Sequence, residues 1–279
     1  MKKLNRFITI IVLIFLYLPM LVLAVASFNT GSDIAIWEGF TLHQYAELFR
    51  DTNLLRLLLN SLIISVLASL IATVLGTMAS LGIFSMRSRM RRLVMTVTDI
   101  PMTNPEIVTG VSLALLFAFA GTFLKIKSIL GFFTLLIAHV TFNLPYVILS
   151  VMPKLAQMDG DLRDAAMDLG CTPRQAFFKV LIHEIMPGII SGALMSFTMS
   201  LDDFVISYFV SGSGFITLPV EIYSYTKKPL QPKIYALFTL LFIVILLVMV
   251  AMNLLQMKDA KKRVQARRAF RGRTGRAGI

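Results

Sequence analysis

Cysteine is nearly absent from this chain. Cys171 is the only one in 279 residues, so an intrachain disulfide framework is excluded. No G-x-x-x-x-G-K-[ST] stretch occurs, which excludes ATP binding through a P-loop. Charged residues make up only 15% of the chain, and acidic ones are the scarcer, 15 Asp and Glu against 27 Lys and Arg. The formal charge of +12 would suit a nucleic-acid binder, but the placement of the basic residues argues against that partner. No internal repeat is long enough to suggest an inverted-repeat transporter, and no stretch reads as a separate soluble domain.

What fills the chain is apolar. Hydrophobic residues make up 57% of it, where soluble domains have about 45–50%, and the mean hydropathy is +0.78. The 16 Met and 21 Phe belong to spans and packing surfaces, and no cofactor or metal is inferred from them. The chain reads as an all-α membrane protein with six transmembrane helices, at residues 7–26, 61–84, 107–123, 128–151, 188–210 and 234–257. Each is close to or above the roughly 18 apolar residues that cross a bilayer.

Basic residues set the orientation. Lys2, Lys3 and Arg6 precede the first span, and four arginines from Arg87 to Arg92 follow the second. Lys154, Arg163, Arg174 and Lys179 lie between the fourth and fifth, and nine Lys and Arg follow the sixth. One side of the membrane thus holds 20 of the 27 basic residues, which makes both termini cytoplasmic. Ala24-Val25-Ala26 has the form of a signal-peptidase site, but an apolar run of about 20 residues exceeds the 7–15 of a signal sequence, so the segment reads as a retained helix. Residues 1–257 form the membrane domain, and residues 258–279 a basic cytoplasmic tail, for which attraction to anionic lipid is the simplest account. Residues 28–60 read as an external loop with a short helix near 42–49, and residues 211–232 as a second external connection.

The most informative stretch is polar. Residues 161–169 hold good helix formers, and Gly170 stands where a helix C-terminus needs a left-handed residue. Thr172-Pro173-Arg174-Gln175 then opens a second helix, with Thr172 as N-cap, Pro173 at the first position and Gln175 completing a capping box. Pro187 and Gly188 are expected to break this helix where the chain enters the membrane. The small side chains at Ala165, Ala166 and Gly170 let a partner surface come close.

Asp164-Ala165-Ala166, then Gly170, then Pro187 resembles the EAA loop of permease subunits in ATP-binding-cassette importers, with Asp in place of Glu at 164, Cys in place of Ala at 171 and Met in place of Leu at 186. The resemblance implies a type I importer permease fold, whose cytoplasmic loop (about residues 152–187) carries a coupling helix that sits in a groove of the ATPase. Along nearly the whole chain the sequence is similar to the spermidine/putrescine permease group, and most to its second permease subunit. SFNTG at 27–31, PEIVTGVSLALLF at 105–117, HVTFNLPYV at 139–147 and SFTMSLDDFVISYFVSG at 196–212 carry that likeness.

By resemblance, the chain is a non-catalytic subunit of a polyamine importer in the bacterial cytoplasmic (inner) membrane. It would pair with a homologous second permease subunit, two ATPase subunits that bind ATP and Mg, and a periplasmic or lipoprotein substrate-binding protein. No cofactor is expected in this chain. Two other readings stay open: the same importer class for ferric iron or an organic cation, and a secondary transporter or channel working alone.

Asp202 and Asp203 fall inside the fifth expected span. A charge near the bilayer centre costs about 2.5–3.5 kcal/mol, so such a residue faces a cavity or a partner. A carboxylate-lined path suits a polycation, and a structural role for the pair is the competing reading. Helical periodicity groups Asp203 with Ser196, Ser200 and Ser207, and Asp202 with Thr198 and mostly apolar neighbours. His139 and Asn143 fall in the fourth span, and His139 reads as an interhelical hydrogen-bonding group in preference to a metal ligand or proton relay. Asp99 and Glu106, ahead of the third span, read as solvated charges at a helix terminus.

Overall fold

The structure, a computed structural model, describes residues 2–31, 36–125, 129–212, 214–226, 233–247 and 250. They fall into two compact units, residues 1–52 with 229–279, and residues 53–228. Among the described residues the regular structure is helical, apart from one isolated bridge between Asn29 and Phe40.

The first unit contains α1 (Lys2–Ala26) and α2 (His43–Arg50), together with α12 (Lys233–Leu247). The chain between α1 and α2 folds on itself. Phe28 stacks on Phe40 at 5.4 Å and lies 5.3 Å from Tyr45, whose hydroxyl is 2.7 Å from Ser27 Oγ. Lys233 at the start of α12 donates to Asp51 Oδ2 at 3.0 Å. The short helix expected near 42–49 is therefore present.

The second unit is built from α3 (Thr52–Ser85), α4 (Ser88–Thr103), α5 (Glu106–Phe123), α6 (Phe132–Gln157), α7 (Leu162–Asp168), α8 (Pro173–Gln175), α9 (Ile182–Leu201), α10 (Val205–Val210) and α11 (Leu218–Thr226). A π-helical turn, Ala176–Leu181, joins α8 to α9 without a break. Helices in lipid gain little from apolar burial, so close approach of backbones has to hold them. Val147 of α6 shows how. A Cβ added to Gly76 of α3 would stand 2.7 Å from Val147 Cβ, and one added to Gly192 of α9 would stand 3.1 Å from Val147 Cα. Ser69 of α3 also donates to Ala193 O of α9 at 2.7 Å. Around these contacts Ala72, Val147, Val151, Leu155 and Ile185 form one apolar cluster, and Ile64, Phe117, Leu135, Ala138, Phe142, Ile206 and Val210 form another.

Among the described residues five helices are long and apolar enough to cross a membrane: Arg6–Ala26, Thr52–Ser85, Glu106–Phe123, Phe132–Gln157 and Pro173–Leu201. Two expectations need correction. The fifth span, expected as one helix over 188–210, is not continuous: it ends at Leu201 and resumes at Val205. Pro187 and Gly188 do not break it, because both lie inside α9. The bond that Pro187 cannot make is tolerated, as it is in membrane helices generally, and the ladder is disturbed instead in the π turn, where Ile182 N–H reaches back to Phe177 O. Of the sixth expected span, α12 covers the part up to Leu247. Its remainder and the basic tail 258–279 lie outside the described residues. Helices α4 and α11 occupy segments that read from sequence as connections; no residue of α4 is buried.

Candidate coupling loop and substrate path

The loop after α6 folds as its residue types dictate. Gly170 adopts φ +86°, a conformation that costs a glycine little. Its N–H bonds Met167 O at 2.9 Å, while Cys171 N–H reaches Ala166 O at 3.1 Å, and this pair of bonds satisfies the last carbonyls of α7. Thr172 then caps α8. Its N–H donates to Gln175 Oε1 at 3.0 Å, and its Oγ1 accepts from Gln175 N–H at 3.4 Å. The result is a helix, a tight turn and a second helix, with α7 packed on the π turn.

Of the expected coupling residues, Asp164, Ala165 and Gly170 are exposed on this hairpin, and Ala166 is buried beneath them. Pro187 stands apart, inside α9. The hairpin also displays apolar side chains: Leu169 is 87% exposed and Phe178 69%. Phe177, Phe178 and Leu181 line a groove of about 300 Å³ with Arg163, Pro173 and Arg174. Nothing lies within 4 Å of where a Gly170 Cβ would be, so this surface is open to a partner.

The second constellation forms where two helices are interrupted. Proline disfavours the helical region for the residue before it. Ahead of Pro105, Asn104 is accordingly extended (φ −78°, ψ 139°), and α4 ends there. Glu106 becomes the first residue of α5. Gly110, one turn on, brings α5 against α10: a Cβ there would stand 3.0 Å from the Phe209 ring and 3.4 Å from Ile206 Cα. The other interruption is Asp202–Phe204, between α9 and α10. The two lie near each other: Gly110, one turn after Glu106, packs on Val205 and Ile206 just past the second interruption, so the Glu106 carboxylate is in the electrostatic field of Asp203 and Asp202. Sequence reading took Glu106 for a solvated terminal charge. The Asn104-Pro105 pair was the available signal that a helix restarts at this carboxylate.

The two aspartates have different surroundings. Asp202 is exposed, next to the carbonyl end of α9, which carries partial negative charge. Asp203 is only 8% exposed. Its Oδ1 accepts from Ile206 N–H at 3.2 Å, and its Oδ2 accepts from Ser207 N–H and Ser207 Oγ, both at 2.8 Å. It therefore caps the first turn of α10. His139 of α6 is 3.4 Å from Asp203 Oδ2 through Nε2, which also lies 3.0 Å from Ser207 Oγ, while Nδ1 lies 2.6 Å from Ser200 Oγ. The polar stripe read from periodicity is present, but it faces the protein interior: Ser196, Ser200, Asp203 and Ser207 are all buried. His139 makes the interhelical bonds expected of it. Asn143, one turn further along α6, is fully buried and neither of its amide atoms has a partner among the described residues. Next to Asp203, Phe204 packs on Tyr223 at 4.4 Å and lies 5.6 Å from Tyr208, so aromatic rings adjoin the carboxylates.

Comparison with known proteins agrees with these features. Residues 72–264 match the family described as binding-protein-dependent transport system inner membrane component. The putrescine transport system permease protein PotI of Escherichia coli (strain K12) is 38% identical over 228 residues, covering 81% of each chain. The spermidine/putrescine transport system permease protein PotC of Haemophilus influenzae is 34% identical over 249 residues, covering 89% of this chain and 95% of that one. A PotC homolog from Mycoplasma pneumoniae is 31% identical over 256 residues, covering 88% of this chain and 87% of the relative. With a family match across most of its length and apolar helices of membrane-spanning size, the chain belongs to the inner-membrane permease components of binding-protein-dependent transport systems.

Proposed function

We propose that this chain is a permease subunit of an ATP-driven importer for polyamines, of the putrescine and spermidine class. The observation that carries the reading is the proximity of the two helix interruptions that carry Glu106, Asp202 and Asp203. Interrupted membrane helices are a recurrent way of building a substrate site, and a helix carbonyl end favours a cation. Asp202 and Glu106 offer charge to ammonium groups, and the rings of Phe204, Tyr208 and Tyr223 offer apolar and π surface to the methylenes between them. The names of the relatives, which specify putrescine and spermidine transport, support the same substrate class.

The wider reading is an assembly. Six spans with both termini cytoplasmic form a type I permease fold that pairs with a homologous second permease subunit. A periplasmic or lipoprotein binding protein delivers substrate from outside, and two ATPase subunits bind ATP and Mg inside. Asp164, Ala165, Ala166 and Gly170 form the surface that meets an ATPase, and Pro187 completes the pattern in α9. ATPase closure moves α7, the spans tilt, and the path opens outward; hydrolysis returns it inward. This chain positions and conducts the substrate, and the hydrolytic chemistry belongs to its partners.

Uptake by the intact complex in proteoliposomes tests the substrate path. Asp202→Asn keeps size and removes charge. Attraction between a polycation and one partly desolvated carboxylate is worth about 1–4 kcal/mol, so uptake at low substrate should fall by about five-fold to several-hundred-fold, with assembly and basal ATP hydrolysis retained. Glu106→Gln should act in the same direction. Unchanged uptake kinetics in both variants would remove these carboxylates from the path.

A further inference from the structure

The break after Leu201 leaves two short helical ends to be held in place. A chain interruption of this kind inside a span is tolerated only where its polar groups are satisfied by protein or water. Asp203 satisfies the α10 side, by accepting from the N–H groups of Ile206 and Ser207. Nothing in that capping bond fixes α10 relative to α9. One imidazole supplies the missing link: His139, on α6, has one ring nitrogen 2.6 Å from Ser200 in the last turn of α9 and the other 3.0 Å from Ser207 in α10.

The hydrogen-bond directions are consistent throughout. Asp203 as a carboxylate can only accept, so Ser207 Oγ donates to it. Ser207 Oγ is then free to accept from His139 Nε2–H, and with a neutral ring Nδ1 accepts from Ser200 O–H. Donation runs one way from Ser200 through His139 and Ser207 to Asp203. All four side chains are buried, with His139 at 1% and Ser207 at 0% exposure, so water does not compete for these bonds. Asp202, adjacent in sequence to the last member of this chain, is left exposed.

We propose that His139 and Asp203 are positioning residues: they clasp both edges of the break to α6 and thereby fix the direction in which Asp202 is presented. The proposal rests on the reading of Asp202 as part of the substrate path, and it assigns its neighbour Asp203 to the scaffold rather than to the path.

Reactivity of a cysteine at the Asp202 position separates the two ideas, because it needs no transported substrate. In the intact complex, with Cys171→Ser as background, Asp202→Cys is treated with a cationic methanethiosulfonate. Adding His139→Leu should slow its modification by about ten-fold or more, while His139→Gln, which can still bond on both sides, should stay within about two-fold. If His139→Leu does not assemble, Ser200→Ala with Ser207→Ala unlinks the imidazole from both edges by removing only two hydroxyls, and the same slowing is expected. An assembled complex of either kind with unchanged modification overturns the clasp, whatever its uptake. The substrate-path reading fails separately, if Asp202→Asn leaves uptake untouched while the clasp variants still alter modification.

Discussion

Asp202 and Asp203 are adjacent in the chain yet occupy opposite environments, the first exposed and the second tied by three hydrogen bonds to Ile206 and Ser207. A break in the helix separates their roles. Asp203→Ala would leave the N–H groups of Ile206 and Ser207, and the Ser207 hydroxyl, without their acceptor. A buried group stripped of its partner costs about 1–3 kcal/mol. Thermal unfolding of the purified complex should show that loss for Asp203→Ala and almost none for Asp202→Ala. Equal destabilisation by the two would contradict the division.

Gly192 predicts a packing effect. Its missing Cβ would lie 3.1 Å from Val147 Cα and 3.3 Å from Ser150 Cβ. Gly192→Leu must push α9 off α6, and overpacking of this kind costs about 1–3 kcal/mol. Reduced yield and a lower melting temperature are expected. Gly82→Leu on α3, where nothing lies within 4 Å of a Cβ, is the control and should leave both unchanged.

Gly170 predicts a different defect. Its φ of +86° disfavours any side chain, yet there is open space around it. Gly170→Leu should therefore cost about 1–2 kcal/mol of local strain in the turn and place bulk on the surface proposed to meet the ATPase. Membrane insertion should survive, while ATPase binding or substrate-stimulated hydrolysis is lost. Gly170→Asn, which tolerates the left-handed region, should be milder. Normal stimulated hydrolysis in the leucine variant would argue against this surface as the coupling site.

The topology predicts sidedness. In a Cys171→Ser background, a cysteine at Thr30 should react with an impermeant maleimide added outside intact cells. One at Ser88, at the start of α4, should react only after permeabilisation. External labelling at Ser88 would invert the orientation.

Much of this was legible in the chain itself. Apolar runs long enough for a bilayer identify the spans, because a chain in hydrocarbon must satisfy its backbone within each helix. The 161–175 hairpin was readable residue by residue, since capping by Thr172 and Gln175 and the left-handed turn at Gly170 are local effects needing no tertiary partner. The Asp-Ala-Ala to Gly spacing was visible for the same reason.

The breaks were not readable in that way. Periodicity treats 188–210 as one helix, since Asp202 and Asp203 are compatible with a helix and no proline marks the interruption. Conversely, Pro187 and Gly188 look like a stop but lie inside α9, where a Cβ added to Gly188 would stand only 2.9 Å from Ser150 O. Helix α6 lies against both places: its His139 is bonded to both edges of the interruption at 202–204, and its Ser150 carbonyl approaches α9 just after Pro187. The sequence by itself determined where membrane helices and the coupling hairpin form, because those follow from contacts within a few turns. Only the tertiary structure decided which of two neighbouring carboxylates is exposed and that Glu106 lies near them, because that depends on groups far apart along the chain, His139 being 61 and 68 residues from Ser200 and Ser207.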